Sequence, residues 1–455
     1  MPPLLDIHRW PATAWREWAT RLVLVAFAVM TGLAIAAMTW MSETALAHFR
    51  LVTAHAWWVP LLWTPAITCA VVYLTQRWFV GAAGSGIPQV IAALSSPSLD
   101  DEAQRINRSL YVSLKLSVGK AFLTVGGLFA GLSTGREGPS VQIGAGIMHH
   151  ARRWLPSGSG ISSRDLIAAG GAAGVAAAFN TPLGGVLFAI EQLARRPERR
   201  SSGLLIMVIV IAGLVAMSIH GDRTYFGAIH TPPPSLAMLW PAVVTTLCAA
   251  ACGGLMGLAL TQTLSGRWDH WLTWRQRHPL ALAALCGLTV AAIGVATDGR
   301  SFGSGYLATR DLIESGHASV ASWDFLTRML STWLSLLSGV PGGIFAPALA
   351  MGASVGQHVA MLFGFLDARA LIALGMVAFL SAVTHAPITA AVIVMEMLAG
   401  HDLVMALLAS AWIAHALSRL VSPSMYDELA TVQLQRQRAL SPDFDVRQQS
   451  PQRTT

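Results

Sequence analysis

The sequence predicts an all-α polytopic membrane protein made of two related halves. Three observations carry that expectation: long uncharged runs, Gly/Pro breaks inside those runs, and a set of landmarks that occurs twice in the same order. Of 455 residues, 54% are hydrophobic and only 12% are charged, about half the charged share of a soluble chain. Uncharged runs cover residues 22–42, 166–190, 201–221, 229–266, 329–366 and 370–395. A membrane helix needs about 20 apolar residues, so each run has room for one span and the longer ones for two.

Along the chain, residues 1–20 form an arm rich in Trp and Arg, suited to the membrane interface. The first run is too long for a signal peptide and is expected to remain as a span. The membrane body is divided near its middle by the charged stretch Arg195–Arg200, giving halves of 21–200 and 201–426. The polar, Gln-rich tail, 427–455, is too short for a further domain. The formal net charge of +7 does not indicate nucleic acid, because the basic residues lie scattered in connections. Positive charge in short loops marks the cytoplasmic side, which places the arm, the tail and the 195–200 loop there. Arg152 and Arg153 do not obviously fit that assignment.

Cys69, Cys248, Cys252 and Cys286 all fall in apolar runs. Cys248 and Cys252 share a helical face, but without two further ligands nearby they read as packing residues, so neither a metal nor another cofactor is expected.

The duplication is legible in three landmarks. Gly84-Ser85-Gly86 returns as Gly303-Ser304-Gly305, 219 residues on, and the G-x-x-x-P of Gly135–Pro139 returns at Gly343–Pro347, offset 208. Asn180-Thr181-Pro182 followed by Glu191 returns as His385-Ala386-Pro387 followed by Glu396, offset 205. Transporters often place their substrate site where such repeats meet. Backbone broken by Gly and Pro is tolerated at membrane depth only inside protein or around a polar cavity.

The Gly-rich segments that precede a proline read as helix starts within the membrane, since Pro suits the first helical turn. They are Gly84-Ser85-Gly86-Ile87-Pro88, Gly135-Arg136-Glu137-Gly138-Pro139 and Gly342-Gly343-Ile344-Phe345-Ala346-Pro347. Each exposes unpaired N–H groups and about half a unit of positive charge. Several converging starts make an anion site with no fixed cation, strong enough to bind a halide and weak enough to release it. The alternative use of such glycines is close helix packing, which the Gly127, Gly131, Gly135 spacing also fits. Glu137 is a lone acid at such a start, where intramembrane acids are usually functional. Its carboxylate can occupy the cradle that an anion would use. Lys115 and Lys120 interrupt an apolar stretch; Lys115 is expected to snorkel to the interface.

Taken together and in this order, G-S-G-I-P, G-R-E-G-P and G-G-I-F-A-P resemble the signature segments of the CLC chloride channels and chloride/proton exchangers. The likeness covers about residues 20–430 and includes Lys120, the 170–191 stretch and Ser424-Met425-Tyr426-Asp427. It implies a homodimer in the bilayer, one pore per subunit, and two inverted halves, of the prokaryotic type found in a bacterial inner membrane. It also implies roles: Ser85 and Tyr426 offer hydroxyls to a central chloride, the N–H groups of Ile344 and Phe345 complete the site, and Glu137 is the gate. Gly84, Gly86, Gly135, Gly138 and Gly343 mark the helix N-termini around it. Ser85 matches the chloride-selective pattern, Lys120 a family lysine that raises the local potential for anions.

One position departs. Many proton-coupled relatives have two consecutive acids where this chain has Glu191-Gln192, the second relaying protons. An amide does not titrate, and Glu191 should point about 100° away on a helix. The expectation is therefore chloride flux that is channel-like or weakly proton-coupled, with strict chloride/proton exchange as the alternative. A remote enzyme reading comes from Gly131-Leu132-Ser133-Thr134-Gly135, which matches the G-x-S-x-G elbow of hydrolases with His149 and His150 following. The apolar surroundings speak against it.

Overall fold

The computed structural model describes residues 12–95, 108–193, 202–221, 224–227, 229, 236–265, 269–316 and 323–440. Among these, the chain is helical throughout, with one isolated β-bridge and no named strand. Before the 200/201 boundary lie α1 (Ala12–Thr53), α2 (Val59–Trp78), α3 (Ile87–Ser95), α4 (Leu114–Phe129), α5 (Glu137–His150), α6 (Ser163–Phe179) and α7 (Pro182–Phe188). After it come α8 (Ser202–His220), α9 (Leu239–Ser265), α10 (Asp269–Arg277), α11 (Pro279–Ala296), α12 (Tyr306–Ser315), α13 (Asp324–Leu337), α14 (Phe345–Leu362), α15 (Arg369–Thr384), α16 (Pro387–Leu398), α17 (Val404–Ser418) and α18 (Met425–Leu440). Among the described residues, six helices are long and apolar enough to cross a membrane.

Several expectations change at this level. The arm continues into α1 from Ala12, so α1 has 42 residues and a length of about 63 Å, twice the hydrocarbon thickness. The run at 166–190 is not one span. Asn180 turns left-handed (φ 59°) and Pro182 starts a new helix, because a Pro cannot supply the N–H that would continue the old one. The 229–266 run carries one long helix, α9, rather than two. The 426/427 boundary falls inside α18, whose first turn carries Tyr426. Residues 194–201, with the Arg195–Arg200 stretch, lie outside the described residues, as do 1–11 and 441–455.

Arg152 and Arg153 also find their place. Gly158, in the same connection, lies beside the Arg16 guanidinium. That connection therefore shares a face of the protein with the start of α1.

The two halves repeat their packing. A side chain on Gly144 would collide with the Gly170 carbonyl between α5 and α6, and one on Gly352 with the Gly375 carbonyl between α14 and α15. Small residues let these backbones touch, which is how membrane helices gain dispersion energy where lipid offers no hydrophobic drive. The reciprocal contacts show that the halves face each other about a pseudo-two-fold axis. Glu191, on a π-turn after α7, accepts from the N–H groups of Ile388 (3.2 Å) and Thr389 (2.7 Å) at the start of α16. Glu396, in α16, accepts from Leu183 (3.2 Å) and Gly184 (2.7 Å) at the start of α7. Residue i meeting j while j's twin meets i's twin is the mark of a two-fold interface.

Candidate functional site

The site forms where broken helices of both halves end inside the protein. Gly135 and Gly343 exchange two backbone hydrogen bonds of 2.7 Å each, which ties the start of α5 to the start of α14. The N–H of Gly342 donates to the Gly84 carbonyl (3.2 Å), bringing in the loop before α3. A Cβ on Gly138 would collide with the Ser85 hydroxyl, and one on Gly135 with the Glu137 carboxylate. Glycine at 138 lets the start of α5 approach the Ser85 loop, and glycine at 135 leaves room for the Glu137 carboxylate.

These glycines brace the site more than they donate to it. The N–H groups of Gly135 and Gly343 are spent on each other, and that of Gly86 (φ 106°) on the Gln89 side chain at 2.9 Å. Lys120 is fully buried, and its ammonium donates to the carbonyls of Ala82 (2.8 Å) and Gly84 (2.6 Å). It holds the loop in shape as well as supplying charge. Lys115 is exposed.

Glu137 is the first residue of α5 and is 1% exposed. The backbone N–H groups of Glu137 itself and of Ala346 face its carboxylate, and the Tyr225 hydroxyl lies 3.5 Å from Oε1. Arg136, just before it, donates to Glu43 Oε1 (3.0 Å) and to the Thr39 carbonyl (3.3 Å) on α1. Glu43 is 27 residues beyond Arg16 on one helix, a rise of about 40 Å. Arg136 therefore lies toward the face opposite the one where α1 begins.

On one side of Glu137 the hydroxyls of Ser85 and Tyr426 face each other. Both oxygens are buried and neither finds a hydrogen-bond partner of good geometry among the described residues. Ile344 joins them in lining a cavity of about 140 Å³ that Arg275 also borders. Phe345 stacks on Tyr426 (ring centroids 6.3 Å, 14° between planes) and packs on Phe179 and Phe188. Buried hydroxyls and aromatic edges, with the Arg275 side chain at the cavity's border, offer a small anion a site of intermediate strength. On the opposite side a cavity of about 600 Å³ is bordered by Glu43, Arg50, Arg136, Ser304, Tyr306 and Arg310.

Gln192 is buried and donates from Nε2 to the Thr384 carbonyl (3.0 Å). Its turn is π-helical, so the angle expected between neighbours on an α-helix does not apply. Glu191 nevertheless points elsewhere, into its capping role on α16. Ser133 is fully buried, and its hydroxyl pairs with Thr332 Oγ1 at 2.9 Å rather than with a histidine. No strand runs into that turn among the described residues, so the nucleophile elbow lacks its framework.

Sequence reasoning missed Ala346, Glu43 and Tyr225. Ala346 had a signal, since it occupies in α14 the place that Gly138 has in α5. Tyr225 had none; it is brought in from the connection between α8 and α9.

An all-α, two-fold body with interrupted helices meeting at its centre defines a class of membrane transport protein. The family model described as voltage gated chloride channel matches residues 64–419, and the chain belongs to the CLC family. Solved structures of similar fold include a slow cyanobacterial Cl⁻/H⁺ antiporter, 24% identical, covering 92% of this chain and 98% of that one with a TM-score of 0.73. A CLC-type fluoride/proton antiporter is 20% identical, with 92% and 99% covered and a TM-score of 0.74. A eukaryotic CLC transporter is 20% identical, with 90% and 74% covered and a TM-score of 0.73.

Proposed function

We propose that this protein carries chloride across the membrane through the Ser85–Tyr426 site, gated by the Glu137 carboxylate. The observation that carries the reading is the pair of buried, unpartnered hydroxyls set beside the joined starts of α5 and α14. A desolvated chloride replaces lost hydration with those hydroxyls and with the N–H groups of Ile344 and Phe345. The ionised Glu137 carboxylate sits on the neighbouring N–H groups of Glu137 and Ala346 and so competes with the anion. Protonation removes its charge and releases the site. Flux is therefore expected to rise as pH falls.

The same reading has the protein as a homodimer in a bacterial inner membrane, each subunit with its own pore and two halves, 21–200 and 201–426. Flux is channel-like or weakly coupled to protons, because the inner station is an amide bonded to a carbonyl. The test is zero-current voltage in reconstituted membranes under opposed chloride and proton gradients. A voltage set by chloride alone supports the proposal. A voltage that moves strongly with the pH gradient supports strict chloride/proton exchange.

A further inference from the structure

We propose that Tyr225 is a latch on the outer side of the gate: its hydroxyl holds the ionised Glu137 carboxylate in place, and its ring blocks the way from the outer cavity. The inference rests on Glu137 being the gate and adds a second residue to it, contributed by a different part of the chain.

Tyr225 is placed by three independent contacts. The Tyr306 hydroxyl donates to its carbonyl (3.0 Å), and the next residue, Phe226, donates its N–H to the Met397 carbonyl of α16 (3.2 Å). Its ring meets Phe179 (5.8 Å), Phe226 (4.9 Å) and Tyr306 (4.8 Å) edge-on. Edge-to-face pairs of this kind fix a ring's orientation as well as its position. The Arg136 guanidinium lies over the same ring, 6.0 Å from its centroid. Arg136 and Tyr306 both border the outer cavity. Tyr225 touches both of these residues and the Glu137 carboxylate, which joins the border of the outer cavity to the gate. The gate carboxylate belongs to the first half, while the elements that hold the latch, α12 and α16, belong to the second.

The hydroxyl lies 3.5 Å from Oε1, at the long limit for a hydrogen bond. The contact favours a negative oxygen, because a phenol donates more strongly to an ionised acceptor than to a neutral one. The latch therefore holds the gate when it is charged and loosens when it is protonated. The other charged and titratable groups facing this pair are Arg136, Glu43, Tyr306 and, from the side of Ser85, Tyr426. Losing the hydroxyl weakens the ionised, closed state only, so the gate protonates and opens at higher pH.

Chloride efflux from liposomes carrying the full-length protein, measured across pH, tests this. Tyr225→Phe keeps the ring and is expected to move the midpoint of acid activation up by about half a pH unit, near threefold more flux on the slope. Tyr306→Phe, which only loosens the support of Tyr225, is expected to move it the same way by less. In a Glu137→Gln background Tyr225→Phe is expected to change nothing, since no ionised carboxylate remains to be held. A midpoint unmoved by Tyr225→Phe overturns the latch while a pH-independent Glu137→Gln leaves the gate standing. A Glu137→Gln protein that retains steep acid activation overturns the gate, and the latch with it. A Tyr225→Phe effect that persists in the Glu137→Gln background also overturns the latch.

Discussion

The starts of α5 and α14 are twins that differ in what they present. Both follow paired glycines or a glycine and an arginine, both have Pro as their third residue, and they are tied to each other by the Gly135–Gly343 bonds. Where α5 opens with Glu137, α14 opens with Phe345. The same division runs through the rest of the two halves. Lys120 holds the Gly84-Ser85-Gly86 loop by its carbonyls, and Arg328 holds the Gly303-Ser304-Gly305 loop by the carbonyls of Gly303 (3.3 Å) and Arg300. Ser85 lines the central cavity, whereas Ser304 borders the outer one. The halves thus repeat the contacts that hold backbone and diverge in the groups that line the two cavities. A duplicated scaffold can carry one gate because an acid at only one of two equivalent helix starts makes the pathway polar.

The largest expected effect is at the diverged position itself. Glu137→Ala is expected to abolish acid activation of chloride flux. At neutral pH its flux should exceed the parent's by about tenfold for each pH unit above the gate's titration. Phe345→Ala, at the twin position, should leave the pH dependence in place. Equal loss of pH dependence in both variants would mean that the gate is not local to α5.

The loop clamps should be alike in stability and unlike in function. Lys120→Met and Arg328→Met each strand buried carbonyls, at about 1–3 kcal/mol apiece, read from thermal unfolding in detergent. Only Lys120→Met should also alter relative halide permeability, since only its loop carries a hydroxyl to the central site. If Arg328→Met alters selectivity as much, the functional asymmetry of the two loops is wrong.

Smaller and symmetric effects are expected from the crossed caps. Glu191→Ala and Glu396→Ala each free two N–H groups of the opposite half, at about 1 kcal/mol, with similar drops in melting temperature. A large effect from one and none from the other would show that the two-fold contact is not shared evenly.

The finest comparison is between the serines. Ser85→Pro should raise nitrate permeability relative to chloride, because the hydroxyl that favours the halide is lost, while Ser304→Pro should not. Anion bi-ionic potentials measure this directly. Unchanged ratios in Ser85→Pro would remove Ser85 from the ion's path.

Much of this molecule was determined by its sequence alone. Uncharged runs fix the solvent, since a chain so poor in charge satisfies its backbone only as helices in lipid. Gly and Pro fix where helices start and stop by local sterics, as at Asn180-Thr181-Pro182 and at Gly135–Pro139. An acid at such a start is legible as a functional group, because intramembrane charge costs about 2.5–3.5 kcal/mol and is not kept idle. The tertiary structure decided what those starts are joined to. The Tyr225 contact with Glu137 spans 88 residues, and the caps from Glu191 and Glu396 span 198 and 212. It also decided that Gly86, Gly135 and Gly343 are braces whose N–H groups are already spent, and that Gln192 hangs on the Thr384 carbonyl. Such contacts leave no periodic mark, because helical and turn patterns record only neighbours a few residues apart; which distant partner fills a buried group's hydrogen bond is settled when the halves fold onto each other.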